Sequence, residues 1–142
     1  MKQTDILLPI AAMMGLVAVV VGLMLLERVK DMRTLRIRPN DPRVASSSQM
    51  AATLPNTRAA DNYKNLFEMP VLFYALCLAL LFTQSVTGAW LAAAWVYVGL
   101  RVGHTVVHLA MRHVMLRFAL FAASFYLLAG MWAVFAWQLI TK

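Results

Sequence analysis

Apolar residues form three long stretches along the chain, and their lengths predict its helices. Asp, Glu, Lys and Arg are absent from residues 6–26, 69–100 and 118–141. The first and third stretches each match one membrane-spanning helix, which needs roughly 20 apolar residues. The middle stretch is too long for one span, and the polar segment Thr83–Gly88 (TQSVTG) predicts a turn that divides it. The pattern predicts four spans in a single domain of residues 1–142, at about 5–27, 66–84, 88–111 and 115–139.

The amino-acid composition indicates that these predicted helices lie in a membrane. The chain has 142 residues, of which 62% are hydrophobic and 13% are charged. A soluble domain usually carries about 25% charged residues. A helix satisfies its own backbone hydrogen bonds inside a bilayer, and no alternating pattern of the kind found in barrel strands competes with the helical one. We therefore expect an all-α integral membrane protein, a bundle of four transmembrane helices in contact with lipid.

The first predicted helix differs from a secretory signal peptide. Its apolar stretch exceeds the roughly 7–15 residues of a signal peptide, and only Lys2 precedes it as a basic residue. The charged segment Glu27–Lys30 (ERVK) follows it, where a signal peptide has small residues for cleavage. We expect this helix to remain in the protein.

The positive charges predict the orientation of the chain in the membrane. The formal net charge is +7, from 13 Lys and Arg residues against 6 Asp and Glu residues. Most of the basic residues lie in segment 28–65, and Arg112 and Arg117 flank the last turn, whereas the turn at 83–88 has none. By the positive-inside rule, both basic connections are cytoplasmic and both termini are periplasmic, in a bacterial inner membrane. Because the charge is explained by orientation, we predict no nucleic-acid partner.

Polar residues interrupt the apolar pattern in two places, and the first lies just before the second span. On a helix, Arg58, Asn62 and Asn65 share one face because their spacing is i, i+4 and i+7. Asp61, Asn65 and Glu68 form a neighbouring stripe. A helix that leaves the cytoplasmic interface would explain most of this polarity. It does not explain Glu68, which directly precedes the apolar stretch.

The second interruption is a stripe in the third predicted span. Arg101, His104 and His108 share a helical face at i, i+3 and i+7. A charge near the bilayer centre costs at least about 2.5–3.5 kcal/mol, so such residues normally face the bundle interior or a water-filled cavity. For the two histidines, hydrogen bonding between helices and contact with a ligand are both open. Two His at i and i+4 can share a metal ion, but the sequence has no HExxH pattern and no third ligand, so we predict no metal site.

At these residues the chain resembles a known family. The sequence RVGHTVVHL at 101–109, followed by Arg117, resembles the MAPEG superfamily, the membrane-associated proteins of eicosanoid and glutathione metabolism. It is most similar there to microsomal prostaglandin E synthase and microsomal glutathione transferase. Arg58, Ala59 and Asn62 match the superfamily's Arg-Ala-x-x-Asn signature in the second helix. The resemblance implies a homotrimer of four-helix subunits, with glutathione bound between neighbouring subunits near the cytoplasmic side.

Through this resemblance, individual residues acquire expected roles. Arg117 matches the Arg that activates the glutathione thiol, although an interfacial anchor at the start of the fourth span is an alternative explanation for it. The expected glutathione-binding residues that match the family pattern are Arg58 and Asn62 in the signature, His104 in the third span, and Arg33, which corresponds to a first-helix Arg.

Four further glutathione-binding residues are expected where the chain departs from that pattern. His108 and Phe121 occupy positions where the related enzymes commonly have Tyr. Asn65 replaces the signature Glu, and Glu68, one turn along the helix, would partly replace the missing carboxylate. The resemblance therefore extends the expected glutathione site to these positions.

The function expected from this site is that of a glutathione-dependent transferase or peroxidase, acting on apolar electrophiles or lipid hydroperoxides. A thiol has an unperturbed pKa near about 8.5, so little thiolate is present at neutral pH. The guanidinium of Arg117 would favour the thiolate through a charge-assisted contact. An apolar substrate would approach from the bilayer, and the hydrophilic thiol from the cytoplasm.

Two other classes of function remain open. The superfamily includes non-catalytic members, so the protein could bind lipids or a partner protein without catalysis. Asn65, Asp61 in place of a glutathione-contacting Arg, and Phe118 in place of the Ser after the catalytic Arg favour this class. A transporter that uses the polar stripe as a proton or anion path is the third class. Four short spans without broken helices disfavour it.

Overall fold

The computed structural model describes residues 2–111 and 113–141. These residues form short 3-10 helices at Gln3–Ile6 and Pro42–Val44, and they contain no β-strand. All but one of the α-helices are long and apolar enough to cross a membrane. The prediction of an all-α protein with four transmembrane helices is therefore confirmed. The α-helices are α1 (Leu7–Thr34), the short α2 (Ser47–Thr53), α3 (Arg58–Phe82), α4 (Gly88–Ala110) and α5 (Val114–Thr141).

The helices α1 and α3 extend beyond the spans predicted from apolar residues. α1 continues through charged residues to Thr34, and α3 begins at Arg58. α1 ends where Arg36 adopts a φ of 53° and the N–H of Ile37 bonds to the carbonyl of Met32 at 2.9 Å. This pair of features is the Schellman motif, which satisfies carbonyls left over at a helix end. Segment 28–65, the basic loop expected between the first two spans, is thus helical at both ends.

The connection between α1 and α3 has a small hydrophobic core of its own. Ile37, Val44 and Leu54 are buried together. Nearby, the carboxylate of Asp41 accepts the backbone N–H of Arg43 at 2.9 Å and its guanidinium at 2.8 and 3.0 Å. The contacts with Arg43 lower the pKa of Asp41 to about 2. The connection is therefore held by local packing and by a charged turn.

Two acidic residues of α1 hold the start of α3 in place. The carboxylate of Asp31 accepts the backbone N–H of Asn56 at 3.0 Å and its side-chain amide at 2.6 Å. Glu27, one turn earlier, accepts the backbone N–H of Ala59 at 3.3 Å. The first N–H groups of a helix have no partner within the helix, and carboxylates are favoured there. The amino end of α3, which begins with Arg58, is thereby fixed against α1.

The four long helices pack as two pairs, and α4 connects one pair to the other. α1 packs along α3, α4 packs along α5, and α4 also contacts α1 and α3. Between α3 and α4, the rings of Phe73 and Tyr97 stack with centroids 4.4 Å apart. α3 and α5 contact each other less, and one contact between them is the hydrogen bond from Nε1 of Trp132 to the carbonyl of Leu72 at 3.2 Å. This limited contact leaves space between α3 and α5 nearer the start of α5.

The buried face of α4 changes from apolar to polar along its length. Six of its buried positions are spaced alternately four and three residues apart, the spacing that keeps one helical face against its neighbours. The first half of this face is apolar and packs in the main core. The second half is polar, and its residues lie at the end of the bundle where α3 and α5 separate. In chain order these six positions are Trp90, Ala94, Tyr97, Arg101, His104 and His108, and Val98, Thr105 and Val107 beside them are also buried.

Candidate functional site

The space between α3 and α5 is a groove of about 490 Å³, with α4 as its floor. Its polar and apolar sides come from different helices, since α3 supplies charged and amide groups and α5 supplies mostly apolar ones. The volume falls in the range of roughly 300–1,000 Å³ that is typical of small-molecule sites. The groove is lined by Asp61, Lys64, Asn65, Glu68, His104, His108, Val114, Arg117, Phe118 and Phe121.

The α3 wall of the groove is formed by one helical face. Asp61, Lys64, Asn65 and Glu68 are spaced at i, i+3, i+4 and i+7, so they point the same way. Lys64 lies 3.8 Å from the carboxylate of Asp61, and both side chains are at least half exposed. Such an exposed ion pair adds little to stability. These groups therefore remain available to a ligand.

The floor of the groove contains two buried histidines. His104 is 3% exposed and His108 is 8% exposed, and their ring centroids lie 5.8 Å apart. Nε2 of His104 and Nδ1 of His108 have no hydrogen-bond partner among the described residues. A buried polar atom without a partner is costly, so these two nitrogens are sites where a bound ligand would be stabilised.

A single hydrogen bond fixes the orientation of the His104 ring. Nδ1 of His104 lies 3.1 Å from the backbone carbonyl of Arg117, the residue near the start of α5. Because a carbonyl oxygen only accepts, Nδ1 carries the hydrogen. In the neutral ring Nε2 is then an acceptor. The floor of the groove thus offers an acceptor to a thiol, ammonium or amide donor.

The α5 wall brings Arg117 and Phe121 to the same groove. The Phe121 ring lies 6.0 Å from the ring of His104, centroid to centroid. Arg117 also borders a neighbouring cavity of about 240 Å³, which is lined by Arg58 and shares His108 with the groove. The two cavities therefore place Arg58 and Arg117 around one polar region. Two guanidinium groups at this end of the bundle suit an anionic ligand.

The structure does not bring Asn62 and Arg33 to the groove. Asn62 is fully buried, and its amide donates to Oγ1 of Thr105 on α4 at 3.2 Å. Its Oδ1 has no partner among the described residues. Asn62 therefore joins α3 to α4 behind the wall formed by Asp61 and Asn65. Arg33 lies exposed in the last turn of α1 and lines neither cavity.

Four lining residues were absent from the sequence-based site, namely Asp61, Lys64, Val114 and Phe118. Lys64 shares a helical face with Asp61 and Glu68, so its spacing was a usable signal. Val114 is an unremarkable apolar residue in the first turn of α5, and nothing in its sequence context indicated a role. Asp61 and Phe118, which depart from the family pattern, also line the groove.

The chain matches the model of a known protein family. The model of the MAPEG family matches residues 6–137. This range includes α1, α3 and α4 entirely, and α5 up to residue 137. No curated protein and no solved structure matches the chain.

Proposed function

Because the chain belongs to the MAPEG family, we propose that it is a glutathione-dependent transferase or peroxidase that acts on apolar electrophiles or lipid hydroperoxides. It is an integral membrane protein, with four helices long and apolar enough to span a bilayer. The observation that carries the proposal is the position of Arg117. This residue lines a groove beside His104, whose ring is held by the Arg117 carbonyl.

The groove fits the chemistry of glutathione. Glutathione is a short peptide with carboxylates, an ammonium group and a thiol, and it supplies the thiol as the nucleophile. Arg117 and Lys64 supply cations for its carboxylates, and Asp61 and Glu68 supply carboxylates for its ammonium group. The unpartnered ring nitrogens of His104 and His108 suit its remaining polar groups. Asp61 and Glu68 thus serve the role expected from the signature Glu that Asn65 replaces.

Arg117 is the residue that would activate the thiol. Its guanidinium stays protonated at any physiological pH and forms strong contacts with anions. A thiolate beside it is favoured over the thiol, and the thiolate is the reactive nucleophile. His104 holds the same turn of α5 through the Arg117 carbonyl, so the backbone that carries Arg117 keeps a fixed position relative to the floor of the groove.

The apolar substrate would enter from the lipid side of the groove. Val114 is 63% exposed and Phe118 is 64% exposed, and both line the groove near its opening on α5. Apolar side chains in this position are in contact with lipid in a membrane protein. An electrophile dissolved in the bilayer therefore reaches the groove along an apolar path, while the peptide enters from the aqueous side.

We further propose that the protein acts as a homotrimer in a bacterial inner membrane, with glutathione between neighbouring subunits. The motive is the family resemblance, together with the open groove, whose charged residues Asp61 and Lys64 are at least half exposed in one subunit. The positive-inside rule supports the orientation, with segment 28–65 and the turn before α5 in the cytoplasm and both termini in the periplasm.

A non-catalytic role is the second candidate, in which the groove binds a lipid or a partner protein. Phe118 favours this role because its exposed ring lies in the groove directly beside Arg117, where the family pattern has a Ser. In this alternative the groove holds an amphiphile, and Arg117 contacts its polar head.

Turnover by purified protein separates the two functions. The protein in nanodiscs is mixed with glutathione and either a small aromatic electrophile or an organic hydroperoxide. The proposal predicts turnover that requires glutathione and is lost in Arg117→Ala. Absence of turnover with both substrate classes, by protein that binds glutathione, would instead support the non-catalytic role.

A further inference from the structure

Arg101 is a buried cation that the site described so far does not use. Its side chain is 0% exposed in the middle of α4. Nε donates to the hydroxyl of Tyr97 at 3.1 Å. Nη1 and Nη2 are buried and have no hydrogen-bond partner among the described residues. The guanidinium therefore makes one of the five hydrogen bonds that it can donate.

No carboxylate of the described residues compensates this charge. The ion pairs found in residues 2–111 and 113–141 are Arg43 with Asp41 and Lys64 with Asp61, both far along the chain from Arg101. The charged side chains that line the groove are two carboxylates and two cations, which cancel. Arg101 is a buried charge beside the groove that forms no ion pair with a carboxylate of the described residues. A buried ion without a partner is strongly unfavourable, so its retention needs a reason.

Two aromatic rings enclose the guanidinium. Cζ of Arg101 lies 5.4 Å from the ring centroid of Tyr97 and 5.4 Å from that of Phe121. Tyr97 belongs to the apolar core, whereas Phe121 lines the groove. The Phe121 ring thus separates the guanidinium from the groove, beside the unpartnered Nε2 of His104. Rotation of one side chain would bring the groove and the cation into contact.

We propose that Arg101 is a second anion-binding residue, which pairs with a carboxylate of the bound ligand when the ring of Phe121 turns aside. This proposal rests on the proposed function for its choice of ligand, and it assigns the deep end of the groove to an acidic group. Two sources carry that chemistry, the carboxylates of glutathione and the head group of an apolar acid. Both terminal nitrogens of Arg101 fit a carboxylate, which accepts two parallel hydrogen bonds from a guanidinium.

A purely structural role makes a different prediction. If Arg101 only joins Tyr97 and Phe121, a neutral side chain that can still donate to Tyr97 weakens the fold and leaves ligand binding unchanged. If Arg101 is the counter-ion of a ligand, the neutral side chain relieves an uncompensated charge in the free protein. It then removes much of the stabilisation that the ligand confers, because a ligand stabilises the state it binds.

The test measures the thermal unfolding temperature of the full-length protein in nanodiscs, with and without each of three probes. The probes are glutathione, dodecanoate as an apolar acid, and dodecanol as its neutral counterpart. We expect Arg101→Gln to unfold no earlier than the wild type without ligand. We expect it to bind glutathione or dodecanoate, whichever contacts Arg101, at least about tenfold more weakly, the loss typical of a charge-assisted hydrogen bond. Arg101→Lys, which keeps the charge, should recover part of the affinity.

The two probes that carry a carboxylate, glutathione and dodecanoate, identify its source. Weaker binding of dodecanoate but not of glutathione assigns the site to an apolar acid, and the reverse assigns it to the peptide. Unchanged affinity of Arg101→Gln for both probes overturns the proposal, as does a wild type that neither probe stabilises. If Arg101→Gln keeps both affinities while Arg117→Ala loses turnover, the inference fails and the proposed function stands. If instead dodecanoate binds through Arg101 and glutathione does not bind at all, the inference stands and the proposed function fails.

A second variant tests the position of Phe121 and does not depend on the folding of Arg101→Gln. Phe121→Ala removes the ring that covers the guanidinium, so affinity for the carboxylate probe should change severalfold while affinity for dodecanol should not. Phe125→Ala is the matched control, since Phe125 lies one turn along α5 and lines no part of the groove. Equal effects of the two substitutions on the carboxylate probe contradict the proposal.

Discussion

His104 on α4 is hydrogen-bonded through Nδ1 to the backbone carbonyl of Arg117 on α5, at 3.1 Å. The bond joins the floor of the groove to the turn that carries the proposed thiol-activating residue. It also leaves Nε2, which is buried, as the nitrogen available to a ligand. One side chain therefore positions the backbone at Arg117 and presents an unpartnered nitrogen to the groove.

Replacement of His104 should affect both tasks. His104→Phe keeps a ring of similar size but removes the donor to Arg117 and the acceptor in the groove. We expect kcat/KM for glutathione to fall at least about tenfold, which corresponds to roughly 1.4 kcal/mol of transition-state stabilisation. Steady-state kinetics in nanodiscs measures this. An unchanged kcat/KM in a folded variant would exclude His104 from the site.

Asn62 is expected to contribute to stability rather than to ligand binding. Its buried amide donates to Thr105, so Asn62→Ala removes a hydrogen bond between α3 and α4 and leaves the Thr105 hydroxyl without that partner. The loss should be about 1–3 kcal/mol of unfolding free energy. Thr105→Val and the double variant complete a mutant cycle, and an interaction energy near zero would show that the hydrogen bond is unimportant. Loss of glutathione affinity without loss of stability would instead support a ligand contact.

The sequence predicted the helices well because a membrane requires long apolar stretches, and it predicted the polar residues of α4 because their spacing puts them on one face. It could not decide which of the two stripes on α3 faces the groove. The stripes share Asn65 and differ by a small rotation, which is set by packing against α1 and α4. The groove receives Asp61, Asn65 and Glu68, whereas Asn62 faces α4.

Other features depend on contacts between distant segments, which spacing along one helix does not reveal. The small core at Ile37, Val44 and Leu54 is one example, since nothing in the Pro- and Ser-rich connection indicates which apolar residues meet. The enclosure of Arg101 by Tyr97 and Phe121 is another. Tyr97 lies one turn away on the same helix, but Phe121 comes from α5. The sequence showed the polar stripe and not what covers it.

The proposed orientation predicts which chemical probes reach each end of α3. Ser47 and Thr83 are exposed and lie beyond opposite ends of this helix. In a Cys77→Ala background, a cysteine at position 47 should react with a membrane-impermeant thiol reagent only after the cytoplasmic side is opened. A cysteine at position 83 should react in intact cells. The reverse pattern would overturn the orientation.

The proposed homotrimer predicts a single oligomeric mass. Native mass spectrometry of protein released from nanodiscs should give three copies of the chain. Arg117→Ala should give the same number of copies, since its side chain is proposed to contact ligand rather than a neighbouring subunit. Monomers alone, across several mild detergents, would contradict an active site between subunits.

The central claim is that Arg117 converts bound glutathione to its thiolate, and ultraviolet difference absorbance of that thiolate tests it most directly. The wild type at neutral pH should show thiolate absorbance when glutathione is added, because a guanidinium favours the anion. Arg117→Ala should bind glutathione with little thiolate signal. Arg58→Ala, the matched control from the neighbouring cavity, should bind more weakly yet give the full signal at saturation. An undiminished thiolate signal in Arg117→Ala, or no signal in wild type that has bound glutathione, would contradict the claim.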